Sequence, residues 1–379
     1  MNTAPVESRV PLGAVLREWG RIGCIGFGGP PTHIALLRGL CVERRRWLSA
    51  PEFEDAIAAC NLLPGPASTQ LAIYCAWMLR GRAGALVGGA AFILPGLIGL
   101  AAFFLGSPPL WARGAAAGAG AGVAAVAVQA SLSLAPDSRK RARSQLRWLL
   151  YAGAGVAAVA TIGPWLVLIL VTCGLTEIAI QTLVGRLHTV MPALLAVAVP
   201  SGGLGALAWV AIKVGALSYG GGFVIIPLMQ ADAVNRYHWM TSGQFLNAVA
   251  LGQVTPGPVV QTVAVVGYAA AGLGGGLLAA LIAFTPSFAF VLLGGPRFKQ
   301  LRDNHTARSF LNGAGPAAIG AILGSAFPLA RALTEPWQFG IMGAAALLLL
   351  VFRRGVVLTL VLAGAAGTVI TLAGAHLPH

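Results

Sequence analysis

The sequence predicts an all-α polytopic membrane protein. It is read as two inverted-topology repeats whose broken, re-entrant helices meet near the bilayer midplane. Three observations carry this. Of 379 residues, 57% are hydrophobic and only 9% charged, against about 25% charged in ordinary soluble domains. The mean hydropathy is +0.80, and apolar runs such as Ala83–Gly106, Ala115–Ala135, Leu273–Gly294 and Val356–Gly374 can each cross a hydrocarbon core of about 30 Å. Finally, the chain matches itself at an offset of 192 residues.

The repeat rests on uncommon residues. Gly23, Gly28 and Gly29 fall on Gly215, Gly220 and Gly221; Trp47 falls on Trp239, and Phe53 on Phe245. Pro64-Gly65-Pro66 falls on Pro256-Gly257-Pro258. After a one-residue deletion Gln70 meets Gln261, Gly81 meets Gly272 and Pro95 meets Pro286. The halves are therefore 1–187 and 188–379. No alternation of apolar and polar residues suggests a transmembrane barrel.

Charge sets the orientation. Basic residues favour cytoplasmic loops. "RGLCVERRRW" (Arg38–Trp47) has the near-neutral twin "QADAVNRYHW" (Gln230–Trp239), and Arg80–Arg82 has the uncharged twin Ala271–Gly275. Basic loops in one half and neutral loops in the other are expected if the second half is inserted upside down. Taken in order, 11–46 and 47–80 dip into the membrane and return, bent at Gly28–Pro31 and Pro64–Pro66. Spans follow near 83–106, 113–135, 148–163, 165–185 and 189–205. The second half repeats the dips from the other side, bent at Gly220–Gly222 and Pro256–Pro258. Spans near 273–294, 310–331, 336–351 and 355–376 complete it. The dips could instead be full, broken spans; the basic Arg44–Arg46 favours dips.

Composition also excludes. The net charge of +14 sits in short loops without interleaved aromatics, which suits a membrane protein and not a nucleic-acid binder. The N-terminal eleven residues are polar and read as no signal peptide. The five cysteines form no CxxC and pair with no histidine, so no metal or other cofactor is expected. No GxxxxGK[ST], HExxH or Ser/His/Asp set points to an enzyme.

The candidate site gathers at the breaks. Arg21 and Lys213 occupy the same repeat position. An ionisable residue at membrane depth is a functional hypothesis; the alternative is a side chain snorkelling to the interface. If both point inward, two positive charges lie near the pseudo-twofold axis, suiting a compact dianion. Pro64, Gly65, Pro66 and Pro256, Gly257, Pro258 interrupt helices where lipid tolerates interruption only in a protein interior or at a cavity. Proline suits a first helical turn, so Pro66 and Pro258 start half-helices whose free N–H groups and positive ends face the midplane. Asn61 and Gln253 precede the breaks; Ser68, Thr69, Gln70, Gln261 and Thr262 follow them. All supply donors, for a ligand or for neighbouring helices. Gly28, Gly29, Gly220 and Gly221 allow close backbone approach. His33, whose twin is Ile225, reads as a packed, hydrogen-bonded histidine. Among the acids, Glu54 and Asp55 beside the PGP break are the candidate proton carriers; the alternative is that they balance Arg44–Arg46.

The segments "FGGPPTHIALL" (Phe27–Leu37), "LLPGPASTQLAIYCAWMLRG" (Leu62–Gly81), "YGGGFVIIPLMQADAV" (Tyr219–Val234) and "VTPGPVVQTVAVVGYAAAGL" (Val254–Leu273) resemble the chromate ion transporter family in its long, two-domain form. The resemblance implies export of chromate from the cytoplasm across a bacterial inner membrane, coupled to the proton-motive force, with sulfate as a structural relative of the substrate. The residues alone leave a transporter or channel for another oxyanion open. They also leave the oligomeric state open, a homodimer included.

Overall fold

The computed structural model describes residues 10–61, 63, 65–104, 109–161, 166–183, 202–218, 223–295, 298 and 305–378. Among them there is helix and no strand. Pro64, Gly220 and Gly221, together with most of the span expected at 189–205, lie outside the described residues.

The first half opens with α1 (Leu12–Ile25), a break, and α2 (Pro30–Arg38), which runs into a π turn at Gly39–Arg44. Then come α3 (Ala50–Cys60), the PGP break and α4 (Ala67–Phe104). Local chemistry accounts for each start. Pro30 occupies the first turn of α2, where a missing N–H costs nothing. At α3, the Ser49 hydroxyl accepts from the Glu52 N–H and the Glu52 carboxylate accepts from the Ser49 N–H, a reciprocal capping box.

The second half repeats this backbone: α9 (Gly203–Leu217), α10 (Ile225–Gln230) with a π turn at Ala231–Arg236, and α11 (Ser242–Val254). A 3-10 turn at Val259–Gln261 then leads into α12 (Thr262–Gly294). α11 starts with its own capping box, Thr241 with Gln244. π turns account for well under 1% of residues in globular proteins; two at the same repeat position are copies. The strained positive-φ residues Arg46 and His238 match as well.

The long helices α4 and α12 are hairpins. Each carries a reversal at the same repeat position: Arg80 (φ −143°) with Gly81 (φ 59°), and Ala271 (φ −153°) with Gly272 (φ 63°). Only glycine takes that positive φ without strain. Beyond the turns the limbs pack so closely that a Cβ on Gly84 would collide with the Ala76 carbonyl, and one on Gly275 with that of Gly267. Each first limb thus returns a re-entrant loop to the surface, and each second limb crosses the membrane.

The first loop also returns. The end of its π turn comes back beside α1, where Arg45 Nη2 lies 2.6 Å and Arg44 Nη2 3.2 Å from the buried Glu18 carboxylate. Trp47 stacks on Trp19 at 6.4 Å, and Arg80 donates to the Val10 carbonyl at 3.2 Å. A fully spanning path would separate Glu18 and Arg44 by tens of ångströms at about 1.5 Å per residue. The dips are re-entrant, as the basic loop suggests.

The two halves are inverted. Leu97, Leu100 and Ala101 of α4 share one small cleft with Ala264, Tyr268, Leu273 and Leu277 of α12. Those α4 residues lie about 24–30 Å from the Gly81 turn along the helix, yet they sit beside the Gly272 turn. The two turns therefore lie on opposite membrane faces.

The remaining helices are α5 (Leu110–Ala121), α6 (Val123–Arg141), α7 (Gln145–Thr161) and α8 (Leu166–Leu183). In the second half they are α13 (His305–Arg331), α14 (Pro336–Ala346, ending in a π turn at Leu347–Val351) and α15 (Val356–Leu372). They exchange partners between halves: α13 packs on α7 and α8, while α5 packs on α15. Small residues let these backbones touch. A Cβ on Gly118 would strike the Ala363 carbonyl, and one on Gly313 the Cys173 carbonyl.

Candidate functional site

The breaks of the two halves meet. The Gly257 N–H donates to the Gly26 carbonyl at 3.0 Å, joining the PGP break of the second half to the glycine break of the first. Across the interface a Cβ on Gly65 would lie 3.1 Å from the Gly215 carbonyl. Gln261 Nε2 donates to the Ile93 carbonyl at 2.8 Å, and Gly96 abuts Gln261 and the Pro256 carbonyl. Gly65 (φ 117°) and Gly257 (φ 98°) hold matching left-handed conformations. α4 restarts directly after Pro66, and the 3-10 turn directly after Pro258. Their opening N–H groups lack intrahelical partners.

His33 pins this junction. It is fully buried, with Nε2 3.0 Å from the Gly26 carbonyl and Nδ1 3.3 Å from Ser68 Oγ. A carbonyl only accepts, so Nε2 carries the proton and Nδ1 accepts from the Ser68 hydroxyl. The ring also meets Phe92 edge-on at 5.0 Å. The expectation of a packed, hydrogen-bonded histidine holds.

Unmatched polar atoms concentrate around the breaks. Among the described residues, Thr69 Oγ1, Ser218 Oγ, Asp232 Oδ1, Gln253 Nε2, Gln261 Oε1 and Ser287 Oγ are buried without a hydrogen-bond partner. Ser218 is the repeat twin of Gly26, and Ser287 that of Gly96. Buried polar groups are nearly always bonded, and leaving one unmet costs about 1–3 kcal/mol. So dense a set at one junction is what a site built for a polar ligand requires.

The two intramembrane cations differ. Lys213 is buried and ion-paired with the buried Asp232, and its ammonium lies 5.5 Å over the Trp209 ring. Arg21 is exposed. The same backbone position is thus sealed in one half and open in the other. The carboxamides divide likewise, Gln253 buried and Asn61 exposed. Gly29 is buried and Gly28 exposed; Pro66, Ser68, Gln70, Gly257, Pro258 and Thr262 are buried, and Pro256 is half-buried.

Glu54 and Asp55, the candidate proton carriers, both lie on the exposed face of α3. Among the described residues the buried carboxylates are Glu18, Glu177 and Asp232. Glu18 is held by Arg44 and Arg45. Glu177 accepts from Arg147 at 3.1 Å, Tyr151 at 3.0 Å and Gln181 at 2.7 Å. Asp232 pairs with Lys213, the cation whose helix leads into the second glycine break. The sequence held a signal for it: between Arg186 and Arg297 the formal charges are Lys213, Asp232 and Arg236 alone, so within that stretch a buried Lys213 has a single acid to meet. No group of three or more His, Cys, Asp or Glu among the described residues could hold a metal.

Comparison with known proteins agrees with this architecture. The family model described as "Chromate transporter" matches residues 13–178 and again 205–368, one match per half. The chain is 30% identical over 349 residues to the "Chromate transport protein" of Cupriavidus metallidurans, covering 87% of this chain and 85% of that one. It is 29% identical over 334 residues to the "Probable chromate transport protein" of Synechococcus elongatus, covering 82% of each. The "Chromate transport protein" of Pseudomonas aeruginosa is 30% identical over 343 residues, covering 83% of this chain and 80% of that one. No solved structure matches. A duplicated, inverted helical scaffold, a polar junction of broken helices and a match repeated in both halves make this multi-pass membrane protein a member of the chromate transporter family.

Proposed function

We propose that the protein exports chromate from the cytoplasm across a bacterial inner membrane, using the proton-motive force, and that the anion binds where the two sets of breaks meet. The observation carrying this is the set of partnerless buried donors around the breaks: Thr69, Ser218 and Gln253, with Ser287, the repeat twin of the Gly96 that abuts the second break. A tetrahedral dianion has oxygens enough to satisfy several hydroxyls and amides together, and it is attracted by the helix starts after Pro66 and Pro258. The electrical part of the gradient favours export. Each net negative charge leaving a negative interior gains about 2.3 kcal/mol per 100 mV.

The test is transport into inside-out membrane vesicles containing the protein. Labelled chromate or sulfate is supplied outside, with a membrane potential or a pH gradient imposed separately. Chromate accumulation dependent on the potential is expected. Accumulation of sulfate without chromate would reassign the substrate to the second tetrahedral dianion, which the same donors fit. Indifference to both gradients would remove the coupling.

A further inference from the structure

Asp232 presents the oxyanion site with an anion of its own. Its carboxylate is buried at 1% exposure and pairs through Oδ2 with Lys213, itself 5% exposed. Its other oxygen, Oδ1, meets no donor. A structural ion pair normally has its remaining lone pairs satisfied, because desolvation otherwise exceeds the Coulombic gain. This carboxylate is half-satisfied, on a π turn, a geometry frequent at functional sites. The surrounding charges are few. Lys213 reaches it from α9. Its own turn contributes Arg236, followed by Tyr237. On the other face of the turn, away from Asp232, Gln230, Ala231 and Asn235 line a small cleft of about 40 Å³ with Val159 of α7 and Pro328 of α13. No titratable group lines that cavity; Arg331, the nearest charge along α13, is exposed with its guanidinium over Phe327. The space exceeds the ~10–15 Å³ one water needs, and its amides offer hydrogen-bond partners.

We propose that Asp232 is the resident counter-anion of Lys213, displaced when an oxyanion binds and protonated as it leaves the pair, so that anion and proton bind together. This rests on the oxyanion reading of the site. Two anions cannot share one ammonium in a low-dielectric interior without severe repulsion. When the ligand takes Lys213, the carboxylate takes a proton. The sign follows: lowering the pH strengthens anion binding. Proton and oxyanion thus ride in the same direction, and the membrane potential acting on the remaining negative charge drives export.

The experiment is calorimetric titration of the detergent-solubilised full chain with sulfate, which stays a dianion across the working range. It is run in buffers of different ionisation enthalpy and at several pH values. Wild type is expected to take up close to one proton per sulfate and to bind up to tenfold tighter per unit fall in pH. In Asp232→Asn, binding persists, no proton is taken up, and affinity is flat with pH. Glu54→Gln leaves proton uptake as in wild type. Zero or negative uptake by wild type overturns the proposal, as does undiminished uptake in Asp232→Asn. If Asp232→Asn does not fold, wild-type proton uptake decides alone. Wild type that binds neither sulfate nor chromate at any pH overturns the oxyanion reading, and this proposal with it.

Discussion

The two halves share a backbone and differ in how it is covered. α11 is packed on α5, α12 and α15. On it Leu246 is 2% exposed, and Asn247 faces Gly120 so closely that a Cβ there would lie 2.7 Å from the Asn247 Oδ1. Its twin α3 packs mainly on α4; among the described residues it makes no comparable contact with α13 or α8, the partners that repeat symmetry assigns. The positions matching Leu246 and Asn247 are Glu54 and Asp55, both exposed. Arg21 and Asn61 are open where Lys213 and Gln253 are sealed. Chemistry follows cover. The sealed half holds the buried Lys213–Asp232 pair, whereas the open half holds Glu18 with the part-exposed Arg44 and Arg45. Internal symmetry supplies the scaffold, and the departures from it lie in its cover and its charges.

The largest expected effect comes from breaking the sealed half's ion pair. Asp232→Ala leaves a buried ammonium without a partner and should cost about 3–5 kcal/mol, read as a lowered unfolding midpoint in detergent. Arg21→Ala, at the same repeat position but exposed, should shift that midpoint little, within about 0.5 kcal/mol. The double variant Lys213→Met with Asp232→Leu should regain most of the stability and lose oxyanion binding. Equal destabilisation by Asp232→Ala and Arg21→Ala would show that the halves are covered alike.

The glycines test what the halves share. A Cβ on Gly23 would lie 2.6 Å from the Phe92 carbonyl, and one on Gly215 would collide with the Ala283 carbonyl, its repeat equivalent. Both faces are backbone and cannot yield, so Gly23→Ala and Gly215→Ala should each cost about 1–3 kcal/mol. Gly99, with open space around its Cβ position, is the control. Thermal unfolding of the three variants checks it.

His33 sharpens the comparison at one residue. His33→Ala removes both bonds and leaves the Ser68 hydroxyl unmet, for about 1–3 kcal/mol, and should lower transport by loosening Gly26. Ile225, its twin, only packs; Ile225→Val should cost about 0.5–1.5 kcal/mol and leave transport rates near wild type. Equal transport losses in the two would place His33 among ordinary core residues.

Much of this was legible beforehand because it repeats. Glycine, proline and tryptophan at a constant offset reveal the duplication, the break positions and, with loop charge, the inversion. The turns at Gly81 and Gly272 follow from the same pairs. Features without a twin were harder to read. Asp232 matches Leu40, and its pairing with Lys213 depends on the fold bringing a π turn back beside α9. Arg21 and Lys213 look equivalent in sequence because nothing local says that α11 is covered and α3 is not. Glu54 and Asp55 drew attention as acids in an apolar region, but their exposure depends on a neighbour that never arrives.

The smallest energetic effects should fall on α3 itself, where reactivity is the more telling measurement. Glu54→Gln and Asp55→Asn remove exposed charges near the basic loop and should change stability by no more than about 0.5 kcal/mol. Pro51, Glu54, Asp55 and Asn61 form one exposed face at helical spacing. A charged, polar face is costly against lipid, so water should bathe it. On a background lacking the exposed Cys24, Glu54→Cys and Asp55→Cys should react rapidly with a membrane-impermeant maleimide, from the side of the membrane that also reaches Arg44–Arg46. Leu246→Cys and Asn247→Cys, packed against α5, should resist from either side. A saturating oxyanion that slows the first pair and speeds the second would mean that the halves exchange cover during transport. Unchanged rates would fix the asymmetry as permanent architecture, with α11 a static wall and α3 the sole aqueous approach to the breaks.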